Sequence, residues 1–182
     1  MQLPSGKNPF KKLSSELLYE RPYVRFMKEK VEVAGQVKDY SFAQINNGIG
    51  IVAINDKNEV VLVGQWRYPI DEYSWEIPAG MREENEDPLE TAKRELREEA
   101  GVIAKKWTAL GSFYMECSST NKESFAFLAE DLELGEGNPD DDEEIESRWL
   151  PLEEALKKVA SGEIKDGLTC LGLLRAQSIL RV

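Results

Sequence analysis

Along this chain the apolar positions follow two periods, and the switch from one to the other marks its elements. The first half reads as extended. Leu17-Leu18-Tyr19, Tyr23-Val24-Arg25-Phe26 and Val31-Glu32-Val33 are short apolar blocks rich in aromatic and β-branched residues. A turn at Ala34-Gly35-Gln36 predicts a hairpin into Asp39-Tyr40-Ser41-Phe42. Two stronger runs follow, Gly50-Ile51-Val52-Ala53-Ile54 and Val60-Val61-Leu62-Val63-Gly64. Asn55-Asp56-Lys57-Asn58 between them has the composition of a tight turn, so the pair is predicted to form a hairpin. Trp75-Glu76-Ile77-Pro78-Ala79-Gly80 is a short extended piece ending at a glycine. Met1 to Lys12, with Pro4, Gly6 and Pro9, is expected to be a frayed lead-in.

The period lengthens after Gly80. Asp87 is a natural N-cap, Pro88 suits the first helical position, and Glu90 stands where a capping box needs it. Leu89, Ala92, Leu96 and Ala100 then line one helical face, and Gly101 can end the helix. Strands are predicted at Trp107–Phe113, Ser124–Ala129 and Ile145–Leu150. Pro151 opens a helix over Leu152–Ala160, stopped by Ser161-Gly162, and a last helix is predicted from Gly167 to Leu180. Strands flanked by a few helices predict an α/β domain with a mixed sheet. There is no internal repeat. The only shift in composition is the loop from Gly135 to Glu144, which ends in five consecutive acids, Asp140 to Glu144.

Charge narrows the partners. Thirty-four acids against twenty-three bases give a formal charge of −11, which disfavours nucleic acid or an anionic membrane, since both need a basic face. A phosphorylated substrate would need a bound cation or a local arginine. Histidine is absent, which removes Ser-His nucleophiles, His-ligated zinc and the usual neutral-pH base. Acid–base work therefore falls to carboxylates or metal-bound water. Two cysteines, Cys117 and Cys170, are too few for a disulfide framework, and their expected state is reduced, in the cytoplasm. No apolar run is long enough for a membrane span, and no export signal is read.

Glu95, Glu98 and Glu99 sit at i, i+3 and i+4 on the first helix, so their carboxylates leave it in one direction. Such a cluster is either a solvated charged face or a seat for a hard cation such as magnesium. Spacing alone leaves both open. The wider register is more specific: Gly80, five residues, Glu86, seven residues, then Arg94-Glu95-Leu96-Arg97-Glu98-Glu99-Ala100-Gly101-Val102. This segment resembles the Nudix box at every defined position. The resemblance implies an α/β/α sandwich around a mixed sheet, and hydrolysis of a nucleoside diphosphate linked to another moiety by attack of water at phosphorus. It also implies that Glu95, Glu98 and Glu99, with the carbonyl of Ala79, hold magnesium, or manganese in its place. Glu86 and Arg94 would pair structurally, and Gly80 and Gly101 would serve backbone geometry.

Outside the box the chain is similar to the branch containing ADP-ribose pyrophosphatases and other nucleoside diphosphate sugar hydrolases. Gln65-Trp66-Arg67-Tyr68-Pro69 resembles a segment whose arginine binds a substrate phosphate, which makes Arg67 the candidate; a lone arginine at a strand end is the plainer reading. Residues 1–44 resemble an extended β segment exchanged across a two-fold homodimer, with residues 45–182 as the hydrolase domain. Tyr19 and Tyr23 would then reach a nucleobase, or else pack in the core or the dimer interface. Loop position makes Glu143 the candidate for preparing the attacking water, with Asp141 and Glu144 behind it and Glu98 in the box as the further possibility. Cys117 stands where ADP-ribose-specific members typically carry proline, which favours a broader or different nucleotide sugar, a GDP- or ADP-hexose. The competing readings are a nucleoside triphosphate pyrophosphohydrolase and a non-catalytic nucleotide-sensing domain, although the latter commonly loses box glutamates.

Overall fold

The alternation read over residues 17–42 becomes an antiparallel sheet of β1 (Lys11–Arg21), β2 (Val24–Val33) and β3 (Gln36–Ile45), in that order. The computed structural model describes residues 6–135 and 145–180. Its first unit, Met1–Ile45 with Glu116–Lys122, contains this sheet. Residues 116–122 dock on β3, where the Ala43 N–H donates to the Ser119 carbonyl at 2.9 Å and the Ile45 N–H to Asn121 Oδ1 at 3.0 Å. Two sequence expectations change here. The lead-in ends at Lys11 because Lys11 and Lys12 already pair with Glu32 and Val31, and their ammonium groups reach Glu32 and Glu29. Tyr23 lies in the β1–β2 turn at φ 66°, not in a strand; Pro22 beside it has no N–H to give a ladder. All eleven residues of β1 are exposed, Leu13, Leu17, Leu18 and Tyr19 among them.

The second unit, Asn46–Met115 with Glu123–Val182, carries the remaining elements. They are β4 (Gly48–Ala53), β5 (Glu59–Arg67), β6 (Glu72–Glu76), β7 (Ala79–Met81), α1 (Pro88–Ala100), β8 (Val102–Tyr114), β9 (Glu123–Leu134), β10 (Glu146–Pro151), α2 (Leu152–Ser161) and α3 (Gly167–Leu180). One sheet runs β7-β4-β9-β8 and the other β10-β5-β6, with β4 and β9 parallel and every other pair antiparallel. The chain therefore has the expected mixed sheet.

The two-residue period of the central strands builds the layers. On β4, Ile49, Ile51 and Ala53 join Val61 of β5 and Ala92 and Leu96 of α1 in one buried cluster. Val52 and Ile54, with Val60 and Leu62, join Leu152, Ala155, Leu173 and Ala176 of α2 and α3 in the other. Successive side chains leave a strand on opposite faces, so one run of β-branched residues feeds two cores. Each fully buried Leu, Ile or Val contributes about 1.5–3 kcal/mol, which outweighs the weak propensity differences along the chain. Such continuous apolar runs mark strands covered on both faces. The result is an α/β/α sandwich.

The hairpin expected between β4 and β5 is corrected. Its turn exists: Asn58 donates to the Asn55 carbonyl at 2.9 Å and has φ 59°. Beyond the single bridge Ile54↔Val60 the strands part, β4 to β7 and β9, β5 to β6 and β10. Turn chemistry can bring two strands together, but competing neighbours decide their pairing. Among the described residues no helix is long and apolar enough to cross a membrane. Cys117 and Cys170 are both free.

Candidate active site

Helix α1, packed against β7, carries the predicted glutamates. The helix starts where expected: the Asp87 carboxylate accepts the Leu89 N–H at 2.9 Å, and Pro88 is the first helical residue. The capping box does not form. Glu90 instead accepts a bond from Lys93 Nζ at 2.7 Å, a charged partner within easy reach and stronger than a neutral amide. Gly101, at φ 63°, adopts the left-handed conformation that ends the helix, and its N–H bonds back to the Arg97 carbonyl. Ala92 and Leu96 are buried, which fixes the rotation of the helix and with it the direction of the glutamates.

Those glutamates do not form a uniform solvated face. Glu95 is only 8% exposed. Its carboxylate lies against Gly80, so closely that a Cβ at position 80 would occupy the same space. Glu99 Oε2 accepts the Ala79 N–H at 2.8 Å. Glu98 accepts from Arg94 Nη1 at 3.0 Å, and the same nitrogen is 2.7 Å from Glu95 Oε1. Arg94 Nε lies 3.5 Å from Glu86, so the predicted structural pair is present. Burial works against the charge of Arg94, but Glu95, Glu98 and Glu86 outweigh it and hold its pKa above that of ordinary arginine. Desolvation likewise opposes the charge of Glu86. Hydrogen bonds from Thr91, the Glu83 amide and Arg94 prevail, and its pKa is lowered.

Oxygen donors without sulfur or imidazole suit a hard cation, and carboxylates with a backbone carbonyl are magnesium's kind of ligand. As placed, Glu95 and Glu98 share Arg94, and among the described residues no three acidic or thiol groups surround a common point. An ion would compete with the Arg94 guanidinium for them. Substituting Gly80 tests this close approach. Gly80→Ala should push the Glu95 carboxylate away and lower kcat/KM about 10–100-fold, the usual loss when residues that support a metal site are disturbed. Kinetics equal to those of the unaltered protein would show that the Gly80–Glu95 contact does not matter to activity.

Arg67 reaches the same region from another strand. Alternation places Val61, Val63, Gln65 and Arg67 on the α1 side of β5, and Glu76 lies opposite Val63 on β6. The Arg67 side chain runs back along this face to Glu76, with Nε–Oε1 2.9 Å and Nη2–Oε2 2.6 Å. Its pKa is raised, first by the Glu76 hydrogen bond, against desolvation, and further by the charges of Glu76, Glu99 and Asp166. Arg67 thus shares an electrostatic field with Glu99 of the box.

Three residues were given no role by sequence. Glu76 is 6% exposed and holds Arg67. Asp166 accepts both the N–H and the Oγ1–H of buried Thr169 at 2.7 Å, while Thr169 Oγ1 accepts the Ile77 N–H at 3.0 Å. This chain of bonds fastens the start of α3 to the segment leading into Gly80. An aspartate before a helical run is a readable cap signal, but the bond that Thr169 accepts from Ile77 joins residues far apart in the chain. Glu143, Asp141 and Glu144 lie outside the described residues.

A family model described as the NUDIX domain matches residues 45–167. An ADP-ribose pyrophosphatase of Bacillus subtilis (strain 168) is 32% identical over 166 residues, covering 90% of each chain. A GDP-mannose pyrophosphatase of Yersinia enterocolitica is 33% identical over 141 residues, covering 72% of this chain and 73% of that one. A crystal structure of an ADP compounds hydrolase superposes with a TM-score of 0.86 at 20% identity, over 98% of this chain and 97% of the other.

Proposed function

Because this chain belongs to the Nudix family of hydrolases, we propose that it cleaves the diphosphate linkage of a nucleoside diphosphate sugar into a nucleoside monophosphate and a sugar phosphate. The observation that carries this reading is the approach of the Glu95 and Glu99 carboxylates to the Ala79–Gly80 backbone, on the helix that also bears Glu98, with the charge of Glu99 acting on Arg67. Glu95, Glu98, Glu99 and the Ala79 carbonyl are the proposed holders of magnesium, with manganese as a substitute. Magnesium bound there would supply charge neutralisation at the diphosphate and lower the pKa of water. Arg67 binds a phosphate oxygen, Arg94 keeps the box carboxylates in place, and a carboxylate, Glu143 or else Glu98, orients and deprotonates the water. Such chemistry asks mainly for positioning and electrostatics, which a chain without histidine can provide.

The relatives named for ADP-ribose and GDP-mannose support the substrate class, and Cys117 supports breadth within it. A homodimer completes the proposal. β1 is an edge strand with large apolar residues exposed along its length, a surface that a second copy would cover. Incubation with ADP-ribose, GDP-mannose and nucleoside triphosphates, with product analysis, tests the reaction. Monophosphate plus sugar phosphate is expected from the sugars, lost with chelator and restored by magnesium. Pyrophosphate released from triphosphates alone would overturn the reading. Light scattering on the same active sample should report a dimer, and an active monomer would remove that part.

A further inference from the structure

We infer that Glu76 is a positioning residue, presenting the outer edge of the Arg67 guanidinium to the substrate diphosphate. This rests on the phosphate-binding role proposed above for Arg67. A guanidinium carries five N–H donors in one plane. Glu76 takes the edge formed by Nε and Nη2 through two bonds, 2.9 and 2.6 Å long. The opposite edge, formed by Nη1 and the second Nη2 hydrogen, points away from Glu76. That edge has the fork spacing that matches two phosphate oxygens.

The two sides of the pair differ in exposure as this role requires. The Glu76 side chain is 8% exposed and that of Arg67 is 39%. The carboxylate is therefore a fixed, dry anchor, and the guanidinium is its accessible end. Arg67 is the last residue of β5, next to the turn residues Tyr68 to Asp71. An arginine at such a strand end would otherwise sample many rotamers, and ordering it would count against binding. The two-point bond to Glu76 removes that freedom before substrate arrives. It also sets the plane of the guanidinium on the α1 side of the sheet, where Glu99 contributes to its field.

The test is a cycle of Glu76→Gln, Arg67→Ala and the double variant, with steady-state kinetics on ADP-ribose and a thermal melt for each. Glutamine keeps the size of the anchor but loses its charge and one acceptor. A charge-assisted bond of this kind corresponds to roughly 10-fold or more, so KM should rise about 10-fold in Glu76→Gln with kcat within about 3-fold. In the Arg67→Ala background the same change should have no further effect on KM, because its object is gone. Additive losses, or an unchanged KM in Glu76→Gln, overturn the inference. A fall in kcat and melting temperature with KM unchanged would do the same, by marking Glu76 as structural. If Arg67→Ala itself keeps its KM, the phosphate-binding role fails first and takes this inference with it. If the unaltered protein hydrolyses neither ADP-ribose nor GDP-mannose, the proposed function fails, which is a different outcome from either.

Discussion

Glu99→Gln is expected to lower kcat on the order of 10³-fold while the protein stays folded. Both halves of this result follow from what Glu99 touches. Its Oε2 accepts the Ala79 N–H at 2.8 Å, and a glutamine carbonyl oxygen can accept the same bond. The α1–β7 junction therefore survives the change. What disappears is a negative charge beside the backbone segment proposed to complete the metal site. A neutral amide is a poor partner for a hard divalent cation, and charge neutralisation at the diphosphate is the main demand of the reaction. Steady-state kinetics at saturating magnesium, with a thermal melt, separate the two effects. Activity retained within a few-fold by the folded variant would remove Glu99 from the metal site. Loss of activity together with loss of folding would point instead to the Ala79 contact.

Glu143→Gln should cost about 10²–10⁴-fold in kcat, the usual contribution of a carboxylate that deprotonates or positions a nucleophile. This expectation rests on the position of the acidic loop in the chain. KM should change little, since Arg67 and the metal site are proposed to hold the diphosphate. Magnesium affinity, measured by titration, should also be kept if Glu143 acts purely as a base. Glu98 is the contrasting candidate. Its carboxylate accepts a bond from Arg94 at 3.0 Å and stands 3.9 Å from Arg97. Substitution there should therefore disturb the arginine network and metal affinity as well as turnover. If Glu143→Gln turns over like the unaltered protein and Asp141→Asn or Glu144→Gln does not, the assignment moves along the loop. If all three are silent, the base is Glu98.

Much of the site was legible because its signals are local. The register from Gly80 to Val102 places a cap, an apolar stripe and three glutamates within one stretch of chain, and helical geometry does the rest. Asp87 and Gly101 bound α1 as their chemistry requires, and Ala92 and Leu96 face the core as their spacing predicts. The absence of histidine and the acidic balance also needed no structure, since they exclude chemistries by composition alone.

Tertiary structure decided what depends on residues distant in the chain. The turn Asn55–Asn58 looked like the centre of a hairpin, yet β6 and β10 take the hydrogen-bonding edges of β5. Spacing left open whether Glu95 was solvated; in the folded chain it is buried, with its carboxylate against Gly80 and beside Arg94. Glu76 carried no signal of its own until β5 and β6 paired and put it on the same face as Arg67. Thr169 lies ninety-two positions from Ile77, and the bond between them exists because α3 packs against the sheet. Period and capping act over a few residues through backbone geometry. Strand partners, buried charges and hydrogen bonds across layers are settled by which surfaces exclude water together, and that is a property of the whole folded chain.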